Sequence, residues 1–171
     1  MKIHIETPRL LLRRLQDGDQ DALFDFIQHP AVQAAVPEMQ ADGTGIIEYV
    51  TKHQAWKTID PGGCFDLAIH HKKDNILIGI VSIVMKAGAT ASIGYALNQR
   101  YWRKGLATEA AAFLTEYCFN ELGATSVEAE TEAANEPSWR VMQRVGFEPR
   151  PDTPDELVVY AVSRASWEAR K

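Results

Sequence analysis

Hydrophobic and polar positions along the chain fall into two periods, one of 2 and one of about 3.6, and their order outlines a fold. Arg9 to Leu15 is a short apolar-rich strand. Asp17-Gly18-Asp19 supplies a turn and a cap, and Ala22, Leu23, Phe26 and Ile27 recur as one helical face that His29-Pro30 ends. From about Thr44 to Ile59, Ile46, Ile47, Val50, His53 and Trp56 recur at helical spacing, and Asp60-Pro61-Gly62-Gly63 breaks the pattern. Phe65, Leu67 and Ile69 then alternate with Asp66, Ala68 and His70 as a strand, and Lys72 to Asn75 turns the chain. Ile76 to Val84 is almost wholly apolar, as a central strand buried on both faces is expected to be.

The second half continues in the same two periods. Ile93, Tyr95 and Leu97 alternate with Gly94 and Ala96, and a helix carries Ala107, Ala110, Ala111, Leu114, Tyr117, Cys118 and Leu122 on one face before Gly123. Ser126 to Thr131 is a strand with Val127, Ala129 and Thr131 on one side and Glu128 and Glu130 on the other. Pro137 to Val145 is a short helix presenting Ser138, Val141, Met142 and Val145, and Gly146-Phe147 has the residue types of a Schellman cap. Leu157 to Val162 is a last strand, and Trp167 lies in a charged tail. Strand, helices, several strands, helix, strand, helix, strand is the order of an α+β or mixed-sheet α/β fold. No repeat or linker interrupts it, so residues 1–171 are expected to form a single domain.

Composition changes this picture little. The 171 residues are 46% hydrophobic and 24% charged, as in ordinary globular chains. A formal charge of −5 argues against non-specific nucleic-acid binding and against an anionic-membrane partner, both of which need a basic footprint. Two cysteines, Cys64 and Cys118, are too few for a disulfide framework or a zinc site, and the scattered histidines have no ligand spacing, so no metal is expected. Met1 to Arg9 lacks the apolar run of a signal peptide, and the expected location is cytoplasmic.

Candidate chemistry concentrates between Asn98 and Thr108. A basic turn, Arg100-Tyr101-Trp102-Arg103-Lys104-Gly105, opens directly onto a helix N-terminus. Free N–H groups and the positive end of the helix dipole make such a turn an anion site, and Gly105 removes a side chain that would hold a phosphate away. The turn is neither the three-glycine dinucleotide fingerprint nor a P-loop. A plain strand-to-helix connection with solvated cations fits these residues equally well.

Thr7-Pro8-Arg9-Leu10-Leu11-Leu12-Arg13, Ile93-Gly94-Tyr95, Trp102 to Ala110, Asn135 to Phe147 and Tyr160 to Arg164 together resemble the GNAT superfamily of acetyl-CoA-dependent N-acetyltransferases. Within it the chain is similar to the Rim-type branch, which acetylates ribosomal-protein N-termini. The resemblance implies the acyl-CoA N-acyltransferase fold, a mostly antiparallel mixed sheet flanked by helices and splayed at the strands near 93–97 and 126–131. The family's phosphate motif, Gln/Arg-x-x-Gly-x-Gly/Ala, maps to Trp102-Arg103-Lys104-Gly105-Leu106-Ala107, so Trp102 departs from the consensus. The grip is expected to be main-chain, and the departure is therefore expected to matter little. The resemblance implies that the backbone of Arg103, Lys104, Gly105, Leu106, Ala107 and Thr108 cradles the pyrophosphate of acetyl-CoA, with Leu97 bonding the pantetheine arm and Asn135 near the sulfur. Asn135 is also a residue suited to capping the helix that follows.

The implied chemistry is direct attack of an amine on a thioester in a ternary complex. It needs a neutral amine, an oxyanion stabiliser and a proton for the thiolate. The tyrosine that many relatives use as the acid is replaced by Met142, which leaves Ser138, as in the Rim-type branch, or water. Glu128 and Glu130 are the candidate bases, and a solvated strand face explains them as well; Glu109 is read as a favourable charge in a first helical turn. An α-amine is roughly one-eighth neutral at pH 7 and a lysine roughly one part in 2,500, a difference of about 3.4 kcal/mol. With no strong base evident, an α-amine acceptor, on a protein N-terminus or a small molecule, is the easier substrate. The resemblance leaves room for a homodimer. A GNAT-fold protein that binds acyl-CoA as a sensor without turnover is the alternative that the loss of the tyrosine keeps open.

Overall fold

The computed structural model describes residues 3–56, 62–151, 153 and 156–170. One eight-stranded sheet has the order β1-β2-β3-β4-β5-β6-β8-β7. Its strands are β1 (His4–Glu6), β2 (Leu10–Arg14), β3 (Cys64–His71), β4 (Ile76–Lys86), β5 (Thr90–Leu97), β6 (Ser126–Glu132), β7 (Glu148–Pro149) and β8 (Leu157–Ser163). The helices are α1 (Gln20–Ile27), α2 (Pro30–Ala35), α3 (Gly43–Ala55), α4 (Leu106–Asn120), α5 (Glu136–Val145) and α6 (Arg164–Glu168). Every neighbouring pair is antiparallel except β5 and β6, which run parallel.

The sheet separates two apolar layers. Val81, Ile83, Ala91, Ile93, Val127, Ala129 and Val162 pack with Leu106, Ala110, Leu114, Val141 and Met142 of α4 and α5. On the opposite face Ala68, Leu77 and Ile80 pack with Leu23, Phe26, Ile46 and Val50 of α1 and α3. The doubly covered strand expected from the apolar run is therefore β4, where Leu77, Ile78, Ile80, Val81 and Ile83 are all buried.

Local signals account for most element ends. Gly146 takes φ +100°, its N–H reaches Gln143 C=O at 2.9 Å, and Phe147 N–H reaches Met142 C=O at 3.0 Å, the Schellman pattern expected from the sequence. Pro30 differs from expectation, because it begins a helix as well as following one. Its ring φ suits a first helical position, and His29 Nδ1 caps α2 by accepting the Ala31 N–H at 3.2 Å. β1 and α6 have no counterpart in the sequence pattern; three and five residues are too short for a period to register. The last turn expected of the second helix, to Ile59, and Asp60-Pro61 lie outside the described residues.

α3 is pinned to β3 by a buried polar cluster. Tyr49 Oη donates to Asp66 Oδ2, Asp66 N–H donates to His53 Nδ1 at 3.3 Å, and Cys64 Sγ donates to Asp66 Oδ1 at 3.4 Å. Burial holds the His53 imidazole below its ordinary value although Asp66 opposes the shift, and burial pushes the Cys64 thiol up to about 12. A histidine depressed in the folded state gives stability that is complete above its unfolded pKa of about 6.5 and is lost as pH falls below it. Urea midpoints are therefore expected to drop between pH 7 and pH 5.5 in the wild type and to drop less in His53→Gln. Equal slopes in the two proteins would contradict this account.

Candidate active site

β5 and β6 pair only at Thr90–Ser126, Ala91–Val127 and Ser92–Glu128. Beyond those pairs β5 continues to Leu97 against β4 alone, and β6 continues to Glu132 against β8 alone. The splay thus begins at Ile93 and Ala129, as the resemblance implied for this region. Asn98 N–H bonds Ile78 C=O at 2.7 Å, so by antiparallel alternation Ile93, Tyr95 and Leu97 turn their own N–H and C=O groups into the gap. Arg164 N–H bonds Thr125 C=O at 2.9 Å, and the same alternation turns the Glu130 and Glu132 backbones toward it. The gap is lined by two unpaired strand edges, a surface that an extended amide-bearing ligand can join.

α4 follows β5, and α5 follows β6, so both helix N-termini stand at the open end of the gap on the same face of the sheet. Arg103, Lys104 and Gly105 are exposed, Leu106 is buried, and Ala107 and Thr108 are half-buried. Gly105 caps α4 at φ +75° with no side-chain bond, so the first N–H groups of the helix have no partner from within it. Arg103 also adopts a left-handed φ of +59°, a strained choice for a residue with a Cβ. Leu106 and Leu97 side chains belong to the core, so either could meet a ligand only through its backbone.

The loop is held from behind. Trp102 Nε1 donates to Leu97 C=O at 2.6 Å, and the Trp102 ring meets His29 edge-on at 4.9 Å. The consensus departure at Trp102 therefore has a structural consequence: one of the two lone pairs of Leu97 C=O, the group expected to meet the pantetheine arm, is already engaged. The role expected of Gly105 also changes. A Cβ there would lie 3.5 Å from Arg9 Nη2, so it would point at the back of the loop, and the glycine serves the backbone angle above all.

Asn135 precedes α5 but makes no side-chain cap; its Nδ2 donates to Thr131 Oγ1 at 3.0 Å, beside the gap. Ser138 Oγ donates to Tyr95 Oη at 3.2 Å, and Tyr95 Oη donates to the Ser138 carbonyl at 2.8 Å. Burial pushes the Tyr95 phenol up to about 12, partly offset by the bond from Ser138, so it is a neutral donor at pH 7. Sequence reasoning did not single out Tyr95. The signal was available: it is the gap-edge residue of β5 that ends in a hydroxyl.

Ser138 and the two glutamates are not brought together. Val127 and Ala129 face α4 and α5, so Glu128 and Glu130 project from the opposite face of the sheet. Glu128 is 9% exposed and pairs with Lys86 Nζ at 2.6 Å, while Glu130 is exposed. Met142 is 2% exposed and sits in the core, so a tyrosine there would have to displace packed side chains before reaching the gap. Glu109 does more than sit in a first turn: it receives bonds from Thr7 and Arg9. Burial alone would raise its carboxyl, but those hydrogen bonds outweigh burial and hold it below the usual range. Among the described residues no group of three or more His, Cys, Asp or Glu is placed to hold a metal, and no helix is long and apolar enough to cross a membrane.

Residues 9–148 match the family profile described as the acetyltransferase (GNAT) domain. The N-acetyltransferase YnaD of Bacillus subtilis, itself uncharacterised, is 30% identical over 146 residues, 85% of this chain and 82% of that protein. The structure of a candidate ribosomal-protein-serine acetyltransferase from Vibrio cholerae superposes with TM-score 0.78 at 21% identity, covering 94% of this chain and 97% of that one. Spermidine N-acetyltransferase from Vibrio cholerae, solved with CoA and spermine, superposes with TM-score 0.76 at 14% identity, covering 95% and 99% of the two chains. A match across most of the length, on a sheet whose fifth and sixth strands part beside two helix N-termini, means that the chain belongs to the GNAT family of N-acetyltransferases.

Proposed function

We propose that the protein transfers the acetyl group of acetyl-CoA to a primary amine by direct attack in a ternary complex, with a protein or peptide α-amine as the favoured acceptor. The observation that carries this reading is the parting of β5 and β6 directly beside the Gly105 loop. The residues fit the co-substrate. N–H groups from Arg103 to Thr108 suit a diphosphate, and the Tyr95 and Leu97 edges suit the two amides of a pantetheine arm. Bound there, acetyl-CoA supplies an acyl group already activated as a thioester.

The chain's own groups then divide by face. Ser138, held by Tyr95, stands on the α5 side and is the proposed proton donor to the leaving sulfur. Glu130 stands on the other side, exposed, and is the proposed acceptor of the amine proton; Glu128, bound to Lys86, orients that wall. Asn135 is the proposed contact near the sulfur. Entry of the amine from the face opposite to α4 and α5 lets both substrates meet in the gap without crossing, which suits a ternary complex. A cytoplasmic domain spanning residues 1–171 accords with this reading.

Calorimetric titration tests its first step. Acetyl-CoA is expected to bind, and at one hundred times Kd to stabilise the fold by about 2.7 kcal/mol in a thermal or urea melt. Absence of binding by both acetyl-CoA and CoA would remove the proposal. Binding without CoA-thiol release across a panel of peptide α-amines, polyamines and aminoglycosides would favour the non-catalytic acyl-CoA binder instead.

A further inference from the structure

The Thr7-Pro8-Arg9 turn lies about a hundred positions before the candidate phosphate loop, yet it closes on that loop from behind. Arg9 Nη1 donates to the Lys104 carbonyl at 2.8 Å. Arg9 Nε meets Glu109 Oε2 at 2.6 Å, and Arg9 N–H donates to Glu109 Oε1 at 2.8 Å. Thr7 Oγ1, in a residue only 4% exposed, donates to the same Glu109 Oε1 at 2.5 Å. The Glu109 side chain is 11% exposed, so the guanidinium is aimed by a sheltered carboxylate and is not a loose surface cation.

The consequence follows from peptide geometry. In a planar trans peptide the C=O and the N–H of the next residue point in opposite directions. Arg9 draws the Lys104 C=O backward, so the Gly105 N–H must point outward, to the side where an anion would lie. Lys104 sits between two left-handed residues, Arg103 at φ +59° and Gly105 at φ +75°. Without a donor behind it, the exposed Lys104 carbonyl gains a hydrogen bond by rotating toward water. The same rotation would present a carbonyl oxygen to a diphosphate and withdraw an N–H from it.

We propose that Arg9, aimed by Glu109, is a positioning residue that sets the 104–105 peptide so that the Gly105 N–H faces the diphosphate of the acyl donor. This rests on the acetyl-CoA reading above. It gives the Thr7-Pro8-Arg9 turn a task in donor affinity, separate from β2 and from the chemistry in the gap.

The test compares two acyl donors, one with and one without the nucleotide half that carries the diphosphate. Acetyl-CoA and S-acetylpantetheine are given to the full-length wild type and Arg9→Ala, with calorimetric Kd for CoA and pantetheine and steady-state kcat and KM for the thioesters. Losing a charge-aimed N–H contact is expected to raise the Arg9→Ala Kd and KM for the nucleotide-bearing donor by about tenfold or more. Its kcat at saturation and its kcat/KM for S-acetylpantetheine should stay within about twofold of wild type. Glu109→Gln, which keeps an acceptor oxygen but not the charge, should give a smaller rise, and the double variant no more than Arg9→Ala alone. If Arg9→Ala does not fold, Glu109→Gln carries the same donor comparison. An unchanged Kd for CoA, or equal losses with both donors, overturns the proposal while leaving the acetyl-CoA reading intact. Failure of the wild type to bind CoA overturns both.

Discussion

Gly105→Val is expected to abolish acetyl-CoA binding while leaving most of the fold in place. Gly105 caps α4 at φ +75°, a backbone angle that costs a β-branched residue far more than it costs glycine. Relief of that strain requires the loop to rotate against its braces, and rotation removes the aligned N–H groups on which the anion site depends. The new side chain would also press toward Arg9 Nη2, which a Cβ alone already approaches to 3.5 Å. Trp102→Ala should weaken binding much less, because it removes one bond to the Leu97 carbonyl and leaves the loop's own N–H groups. Calorimetric affinities that rank the two variants in the opposite order would make Trp102 itself a principal contact.

Ser138→Ala is expected to lower kcat by about 10²-fold or more with acetyl-CoA affinity nearly unchanged, the signature of a proton transfer made only in the transition state. The structure makes this a clean substitution. The bond from Tyr95 Oη goes to the Ser138 carbonyl, which alanine retains, so the α5–β5 contact survives. Tyr95→Phe removes that bond together with the acceptor of the Ser138 hydroxyl, and should lower kcat by less. The Tyr95 hydroxyl proton is already given to the Ser138 carbonyl, so the part proposed for Tyr95 is to hold Ser138. Steady-state kinetics on any acceptor that turns over decides the matter; near wild-type kcat for Ser138→Ala assigns the proton to water.

Much of the candidate site was legible in the sequence because its parts are local. A basic glycine turn ahead of an apolar helix is visible within a dozen residues, and so is the Asn135 to Phe147 helix with its glycine stop. The functional reading of Glu109 was not legible, since its partners Thr7 and Arg9 lie on another strand's approach. Glu128 and Glu130 show the opposite limit. Alternation correctly puts them on one face, but it cannot say that this face is the one away from Ser138, nor that Lys86 waits there for Glu128.

The sequence by itself determined the type of most elements, the left-handed glycine at 146 and the apolar faces of α4 and α5, because those depend on φ/ψ preferences and on spacings of two to four residues. Tertiary structure decided where β5 and β6 part, that Tyr95 reaches Ser138 and that Arg9 reaches Lys104. These contacts join residues 43 to 95 positions apart, and their existence depends on strand register and helix docking. Periodicity carries no information about register across a parallel pair, so the gap and its braces emerge only when the sheet has closed around its core.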